Sequence, residues 1–352
     1  MNAREYFGMI AIMLVLILSV ACAPAPYPTL APAQYPTLAP ASGAPTAVPS
    51  ATTVPPTAVP TTAPATATPA SMTVTDSAKR SVTIAGSPQR IVSLAPSATE
   101  IAFALGLGSR VVAVDAWSDY PADVKNLPKI KVFPVNFEQV VALKPDLVLA
   151  AGIQGPDEIK RLEDLKLTVL VVGATVTTFD SVATDIALVG KVTGTEAQAK
   201  ALTDAMKQKV DAIKAKVANA KVKPRVYWEL DATDPAKPYT PGPGSFINDM
   251  ITLAGGVNIA ANAKSAYPQL SAEEIIAANP DLIILSNSCS FFAYPGCVPV
   301  ETVKTRKGWS AIDAVKNDKA FPIDDNLVSR PGPRIVDGLE AAAKLIQPEL
   351  FK

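Results

Sequence analysis

The chain has 352 residues, with 32 Lys and Arg against 32 Asp and Glu, and it contains no His. Zero formal net charge excludes an electrostatic nucleic-acid binder. The missing His excludes a His general base, a Ser-His-Asp or Cys-His site, and any His-ligated zinc, copper or haem.

Residues 1–22 read as a lipoprotein signal peptide. Arg4 precedes an apolar run over 7–21, which ends at Cys22. That run suits a signal h-region and falls short of the roughly 20 residues of a membrane span. LSVAC at 18–22 resembles a bacterial lipobox, which makes Cys22 the expected lipidation site. The alternative is an uncleaved membrane anchor. Under either reading the rest of the chain lies outside the cytoplasm, held at the outer face of the cell membrane.

Residues 23–72 hold 13 Pro and no charged side chain, and YPTLAPA occurs twice, at 27–33 and 35–41. Such a segment cannot bury a core, so a disordered Pro/Ala/Thr-rich linker is expected, in extended polyproline II. At about 3.1 Å per residue it would reach at most ~150 Å.

From Thr73 onward short apolar runs alternate with helical stretches, which predicts an α/β fold with largely parallel sheets. The run at 90–94 reads as a strand and 97–105 as a helix, followed by strand-like runs at 110–114, 147–150 and 168–172. Ser97 and Glu100 form a capping-box pattern at the helix start, and Gly106 supplies a stop. EQVVALKPDLVL at 138–149 is echoed by EEIIAANPDLII at 273–284, each a short helix, a Pro-Asp turn and a buried strand. Asn136 with Gln139, and Ser271 with Glu274, are matching cap signals. A second echo joins PQRIV at 88–92 to KPRVY at 223–227. Two related α/β lobes are expected, at 73–172 and 223–352. The stretch between them, 173–222, reads as helical over 180–192 and 195–218. The second helix would span ~36 Å and could join the lobes. With Cys22 assigned to lipid, Cys289 and Cys297 are left to form a disulfide, against the alternative of two free thiols.

RIVSLAPSATEI at 90–101, WSDYP at 117–121, NFE at 136–138 with ALKPDL at 142–147, and RPGPR at 330–334 together resemble the substrate-binding proteins of ABC importers. The likeness is to the helical-backbone class that carries cobalamin, ferric siderophores and haem, and it covers residues 73–352. It implies two Rossmann-like lobes joined by a long interlobe helix, the class III periplasmic-binding-protein fold. It also implies a monomer that delivers a small molecule from the cleft to a membrane permease driven by an ATPase. No enzyme activity, catalytic residue, metal or resident cofactor is expected.

The resemblance places permease-docking carboxylates at Glu138 and Glu273, one on each lobe. Both also favour their helix N-termini. It puts a cleft aromatic at Trp117, in a loop at a strand's C-terminal end, where open α/β sheets bind ligands. Ser118, Asp119 and Tyr120 share that loop, and Pro96, Ser97 and Ala98 open the first βα turn. On the second lobe Tyr227 and Trp228 lie on a strand that sends them to opposite faces, so only one is expected to face ligand. Tyr239 and Phe246 flank the PGPGSF loop at 241–246. Phe292 lies between the paired cysteines with Phe291 and Tyr294. Arg330 is the candidate for an anionic group on the ligand, while Arg334 reads as structural. Asp324, Asp325 and Asn326 could hydrogen-bond amides on a corrin rim.

A free metal ion would want converging His, Asp, Glu or Tyr. Haem is disfavoured without His, though Tyr ligation stays open. Ferric catecholates want several basic groups, and these loops offer little besides Arg330. A corrinoid therefore ranks first and a ferric siderophore second. The rivals from other classes are an extracytoplasmic ligand sensor and a His-free hydrolase working with two carboxylates.

Overall fold

The computed structural model describes residues 71–173, 178–291 and 297–352. The expected signal peptide with Cys22, the linker up to residue 70, and Phe292 lie outside the described residues. An antiparallel hairpin opens the described chain, β1 (Ser71–Thr75) against β2 (Ser81–Ala85). Ser71 and Met72, given to the linker by composition, pair with Ala85 and Ile84. The hairpin buries Val74, Val82 and Ile84 in the main core.

Five parallel strands form the first lobe's sheet: β3 (Ile91–Ser93), β4 (Val111–Asp115), β5 (Lys129–Ile130), β6 (Leu147–Ala151) and β7 (Val169–Val172). Their order is β5-β4-β3-β6-β7, so the chain reverses its direction of travel across the sheet at β3. The crossovers are α1 (Pro96–Ala104), α2 (Phe137–Ala142) and α3 (Pro156–Asp164). Every residue of β3, β6 and β7 is buried, as a parallel sheet covered on both faces requires.

The two expected helices follow, and the second is the long interlobe one: α4 (Phe179–Thr193) and α5 (Glu196–Val217). Gly194, at φ 73°, ends α4 in the left-handed conformation and lets the chain turn at once into α5. The two helices approach so closely that a Cβ on Gly190 would lie 2.5 Å from that of Ala199. The 22 residues of α5 extend about 33 Å. Its buried stripe, Ala199, Met206, Val210 and Ile213, joins a core shared by both lobes. α4 packs on α1, while α5 packs on helices of the second lobe.

The second lobe holds four parallel strands, β8 (Arg225–Glu229), β9 (Val257–Asn258), β10 (Leu282–Leu285) and β11 (Ala320–Pro322), in the order β11-β10-β8-β9. Its helices are α6 (Phe246–Leu253), α7 (Ala272–Ala278), α8 (Val300–Thr305), α9 (Asp313–Lys316), α10 (Asp325–Val328) and α11 (Ile335–Ile346). α11 packs across α5, α6 and α10. Cys289 and Cys297 are bonded, with their Cα atoms 5.1 Å apart.

The internal repeat has a physical cause. In the first lobe Asp146, in the Pro-Asp turn before β6, accepts from the backbone N–H of Gln89 and Arg90 at 2.7 and 2.8 Å. Arg90 in turn donates to the Leu143 carbonyl at the end of α2. In the second lobe Asp281 accepts from the Arg225 N–H at 2.8 Å, and Arg225 donates to the Ala278 carbonyl at the end of α7. Each Asp ties its turn to the start of the neighbouring strand, and each Arg satisfies an orphan helix carbonyl. The two sequence echoes are the two halves of this one clasp. The cap signals also hold: Asn136 accepts from the Gln139 N–H, and Ser271 with Glu274 forms a full capping box.

Candidate functional site

A cleft of about 950 Å³ opens between the lobes at the carboxyl ends of the first sheet's strands. Its first-lobe wall begins with Ala95, Pro96 and Ser97 after β3, and Trp117 and Asp119 after β4. Gly152 and Ile153 after β6, and Gly173 after β7, complete that wall. The second lobe contributes Phe246, Tyr267, Asp325, Asn326 and the segment 329–331. Parallel strands leave their C-terminal ends open, and the reversal at β3 splays the flanking loops apart.

Trp117 is 65% exposed although it lines this cleft. Its loop is held from beneath. Asp115, fully buried at the end of β4, accepts from the Trp117 N–H at 2.8 Å and from the Ser118 hydroxyl. The Ser118 hydroxyl oxygen also lies 2.8 Å from that of Thr99 on α1, and Thr99 donates to Ser93 on β3 at 2.8 Å. Burial pushes the Asp115 carboxyl above its ordinary range. A wet aromatic face therefore sits on a dry, hydrogen-bonded base.

The opposite wall is joined to the first by charge. Arg330 donates to Asp119 at 2.5 Å and lies 3.6 Å from Glu100. Arg334, just before α11, donates to both carboxylate oxygens of Glu100, at 3.0 and 2.6 Å. Glu100 is buried, and burial outweighs its two guanidinium neighbours to leave its carboxyl above the usual range. The Arg334 guanidinium also lies 3.9 Å from the Tyr120 ring centre. Asp324 and Asp325 are likewise held above their ordinary values by burial.

Of the residues expected at the cleft, Pro96, Ser97, Trp117, Asp119, Phe246 and Arg330 line it, as do Asp325 and Asn326. The others have different places. Ser118 is buried beneath the loop, and Tyr120 packs under Arg334 instead of facing the cavity. Tyr239 is exposed, bridging Asp231 and Gln269 away from the lining. Tyr227 and Trp228 are both core residues, a correction to the expectation that one of them faces ligand. Tyr227 is fully buried, donates to Glu229 at 2.9 Å and meets Trp309 edge-on. Trp228 is fully buried on the other face, with its indole N–H on Ser286. Alternation does send them to opposite faces, but helices cover both.

The capping box expected at Ser97 and Glu100 is also absent. The helix starts one residue earlier, with Ala95 as N-cap and Pro96 in its first turn. That leaves the Glu100 carboxylate to the second lobe's arginines.

Tyr267, Ile153, Gly152 and Gly173 were missed. The glycines and Ile153 follow β6 and β7, so the strand-end rule that found Trp117 could have found them. Tyr267 lies in an irregular loop with no motif around it. Glu138 and Glu273 are exposed in the first turns of α2 and α7, and neither forms an ion pair among the described residues. Each helix leads into a parallel strand and runs against it, so each carboxylate lies toward the carboxyl end of the strand that follows.

The family described as periplasmic binding protein matches residues 91–327. YvrC of Bacillus subtilis (strain 168), an uncharacterised ABC transporter substrate-binding lipoprotein, is 37% identical over 286 residues, covering 80% of this chain and 87% of the relative. The vitamin B12-binding protein of Vibrio cholerae serotype O1 is 32% identical over 258 residues, covering 72% and 87%. The solved structure of the periplasmic heme-binding protein RhuT from Roseiflexus sp. RS-1 in apo form matches with a TM-score of 0.66 at 25% identity, over 75% of this chain and 100% of its own.

Proposed function

The chain belongs to the periplasmic binding protein family, and on that premise we propose that it carries a corrinoid in the interlobe cleft to the permease of an ABC importer. Its class is a substrate-binding one that serves such importers. The observation that carries the corrinoid reading is Trp117, a large planar side chain 65% exposed on the wall of a 950 Å³ cleft. Pockets of about 300–1,000 Å³ hold drug-sized ligands, so this one is sized for a macrocycle. Phe246 and Tyr267 add aromatic surface from the second lobe. A corrin offers a flat apolar face to such groups and a rim of neutral amides to Asp325, Asn326 and Ser329. The bound molecule is cargo, so neither a resident cofactor nor a catalytic group enters the reading.

The proposal includes docking through Glu138 and Glu273, whose exposed charges would orient the two lobes on a cationic permease surface. It also includes a monomer anchored through lipid on Cys22, on the outer side of the membrane.

A second reading has its own support. Tyr267 lines the cleft, and a Tyr hydroxyl can ligate haem iron without any His. A ferric siderophore of the hydroxamate type would also fit the cavity. Tryptophan-fluorescence titration with cyanocobalamin, haemin and ferric siderophores, checked by calorimetry, decides among them. Saturable submicromolar binding of cyanocobalamin that is lost in Trp117→Ala is the expected result. Binding of haemin alone, lost in Tyr267→Phe, would replace the corrinoid with haem.

A further inference from the structure

Arg330 is the one basic side chain lining the cleft among the described residues. A lone arginine in a ligand site would ordinarily invite an anion. This one is already engaged. Asp119, from the opposite wall, accepts from it at 2.5 Å; the Arg330 side chain is 14% exposed and that of Asp119 55%. The other nearby carboxylate, Glu100, lies 3.6 Å from Arg330 but is held on both oxygens by Arg334. Arg334 thus takes both hydrogen bonds of Glu100, and Asp119 is the carboxylate that accepts a hydrogen bond from Arg330. Asp325, which also lines the cleft, adds a further negative group beside that pair.

We infer that Asp119 is a specificity-determining residue of the cleft, cancelling the Arg330 charge so that the site admits cationic or uncharged ligands and rejects anionic ones. This rests on the reading of the cleft as the ligand site and extends it to the ligand's charge. An anionic ligand reaching Arg330 must displace Asp119 and leave that carboxylate near Asp324 without its partner. Asp119 is 55% exposed, so water screens part of that like-charge cost, which adds to the loss of its Arg330 hydrogen bond. A neutral amide rim pays no such penalty, because its N–H groups donate to Asp119 and Asp325 while Arg330 stays paired.

The test titrates five probes against the purified full-length protein. They are aquocyanocobinamide and ferrioxamine B as cations, cyanocobalamin as an uncharged corrinoid, haemin with its two propionates, and a trianionic ferric catecholate. The same titrations are made on Asp119→Asn and Arg330→Gln. The wild type is expected to bind a cationic or uncharged probe at least roughly 100-fold more tightly than the trianion. Asp119→Asn should narrow that ratio about tenfold, and Arg330→Gln should widen it. These opposite shifts separate a charge effect from general damage to the cleft. The inference is overturned if the trianion is the tightest wild-type ligand, or if Asp119→Asn leaves the ratio within about twofold. Tight binding of ferrioxamine B without any corrinoid would sink the corrinoid reading and uphold the role of Asp119. Failure of all five probes on all three proteins would overturn both.

Discussion

Glu100 and Arg334, 234 residues apart in sequence, are joined by two hydrogen bonds of 3.0 and 2.6 Å across the lobe boundary. The contact is close on the backbone as well, since a Cβ on Gly332 would lie 3.4 Å from the Ser97 carbonyl. The segment from Arg330 to Arg334 is thus a strap from the second lobe laid on α1 of the first. It closes one side of the cleft while the shared core beneath α4 and α5 joins the lobes elsewhere.

Glu100→Ala, which removes the hydrogen-bond acceptor altogether, should therefore destabilise the protein by about 3 kcal/mol. It leaves the Arg334 guanidinium, 15% exposed, without the carboxylate that accepts both of its hydrogen bonds. Urea denaturation measures this. A loss below about 0.5 kcal/mol, the level of an ordinary surface change, would mean that water replaces the carboxylate.

Stability should be higher at pH 5 than at pH 7. Burial holds Glu100, Asp115, Asp185, Asp324 and Asp325 above their ordinary values. Carboxyls raised in the folded state bind more protons there than in the unfolded chain. Their contribution is complete below the unfolded pKa of about 4 and is lost as pH rises through the folded values. Asp211, Glu274, Asp313 and Glu340 run the other way, and so does Asp281. Its hydrogen bond from Arg225 holds it below the usual range, and its share disappears only as pH falls below about 4. The urea midpoint at roughly pH 5 should exceed that at roughly pH 7. A midpoint at pH 7 above that at pH 5 would contradict the buried-carboxyl account.

The three tryptophans should separate cleanly by quenching. Trp117 is 65% exposed, while Trp228 and Trp309 are fully buried. Iodide should quench one component in the free protein, and Trp117→Phe should remove it. Trp117→Ala should weaken ligand binding roughly 30-fold with little change in stability. Trp228→Ala should do the reverse, costing about 3–5 kcal/mol of stability. Loss of the quenchable component in Trp228→Phe rather than in Trp117→Phe would reassign the exposed ring.

Glu138→Arg with Glu273→Arg should abolish uptake in cells while leaving ligand affinity in solution within about twofold. Both carboxylates are exposed and away from the cleft lining, so binding and delivery can be measured apart. Unchanged uptake in the double variant would remove these residues from the docking surface.

Much of this was legible in the chain. The offset repeat marked two lobes because each copy must clip a Pro-Asp turn to a strand start, and only Asp and Arg at fixed positions do that. Trp117 was found because a loop after a parallel strand faces the open sheet end. Tyr227 and Trp228 were misread because alternation assigns faces without saying what covers them, and here the face of Tyr227 packs on Trp309 while that of Trp228 joins the main core. The capping pattern at Ser97 and Glu100 gave way to Pro96, which starts the helix a turn position earlier.

The sequence by itself determined the alternation of strands and helices, the paired lobes, the family resemblance and the aromatic at the cleft edge. These follow from local periodicity and from short motifs whose partners lie a few tens of residues away. The tertiary structure alone decided that Asp119 meets Arg330, that Glu100 serves Arg334, and that Tyr267 reaches the cavity. Those contacts join segments up to 234 residues apart. A charge carries no record in sequence of the partner that will neutralise it. That partner is fixed only when the lobes pack, and with it the charge the cleft presents to a ligand.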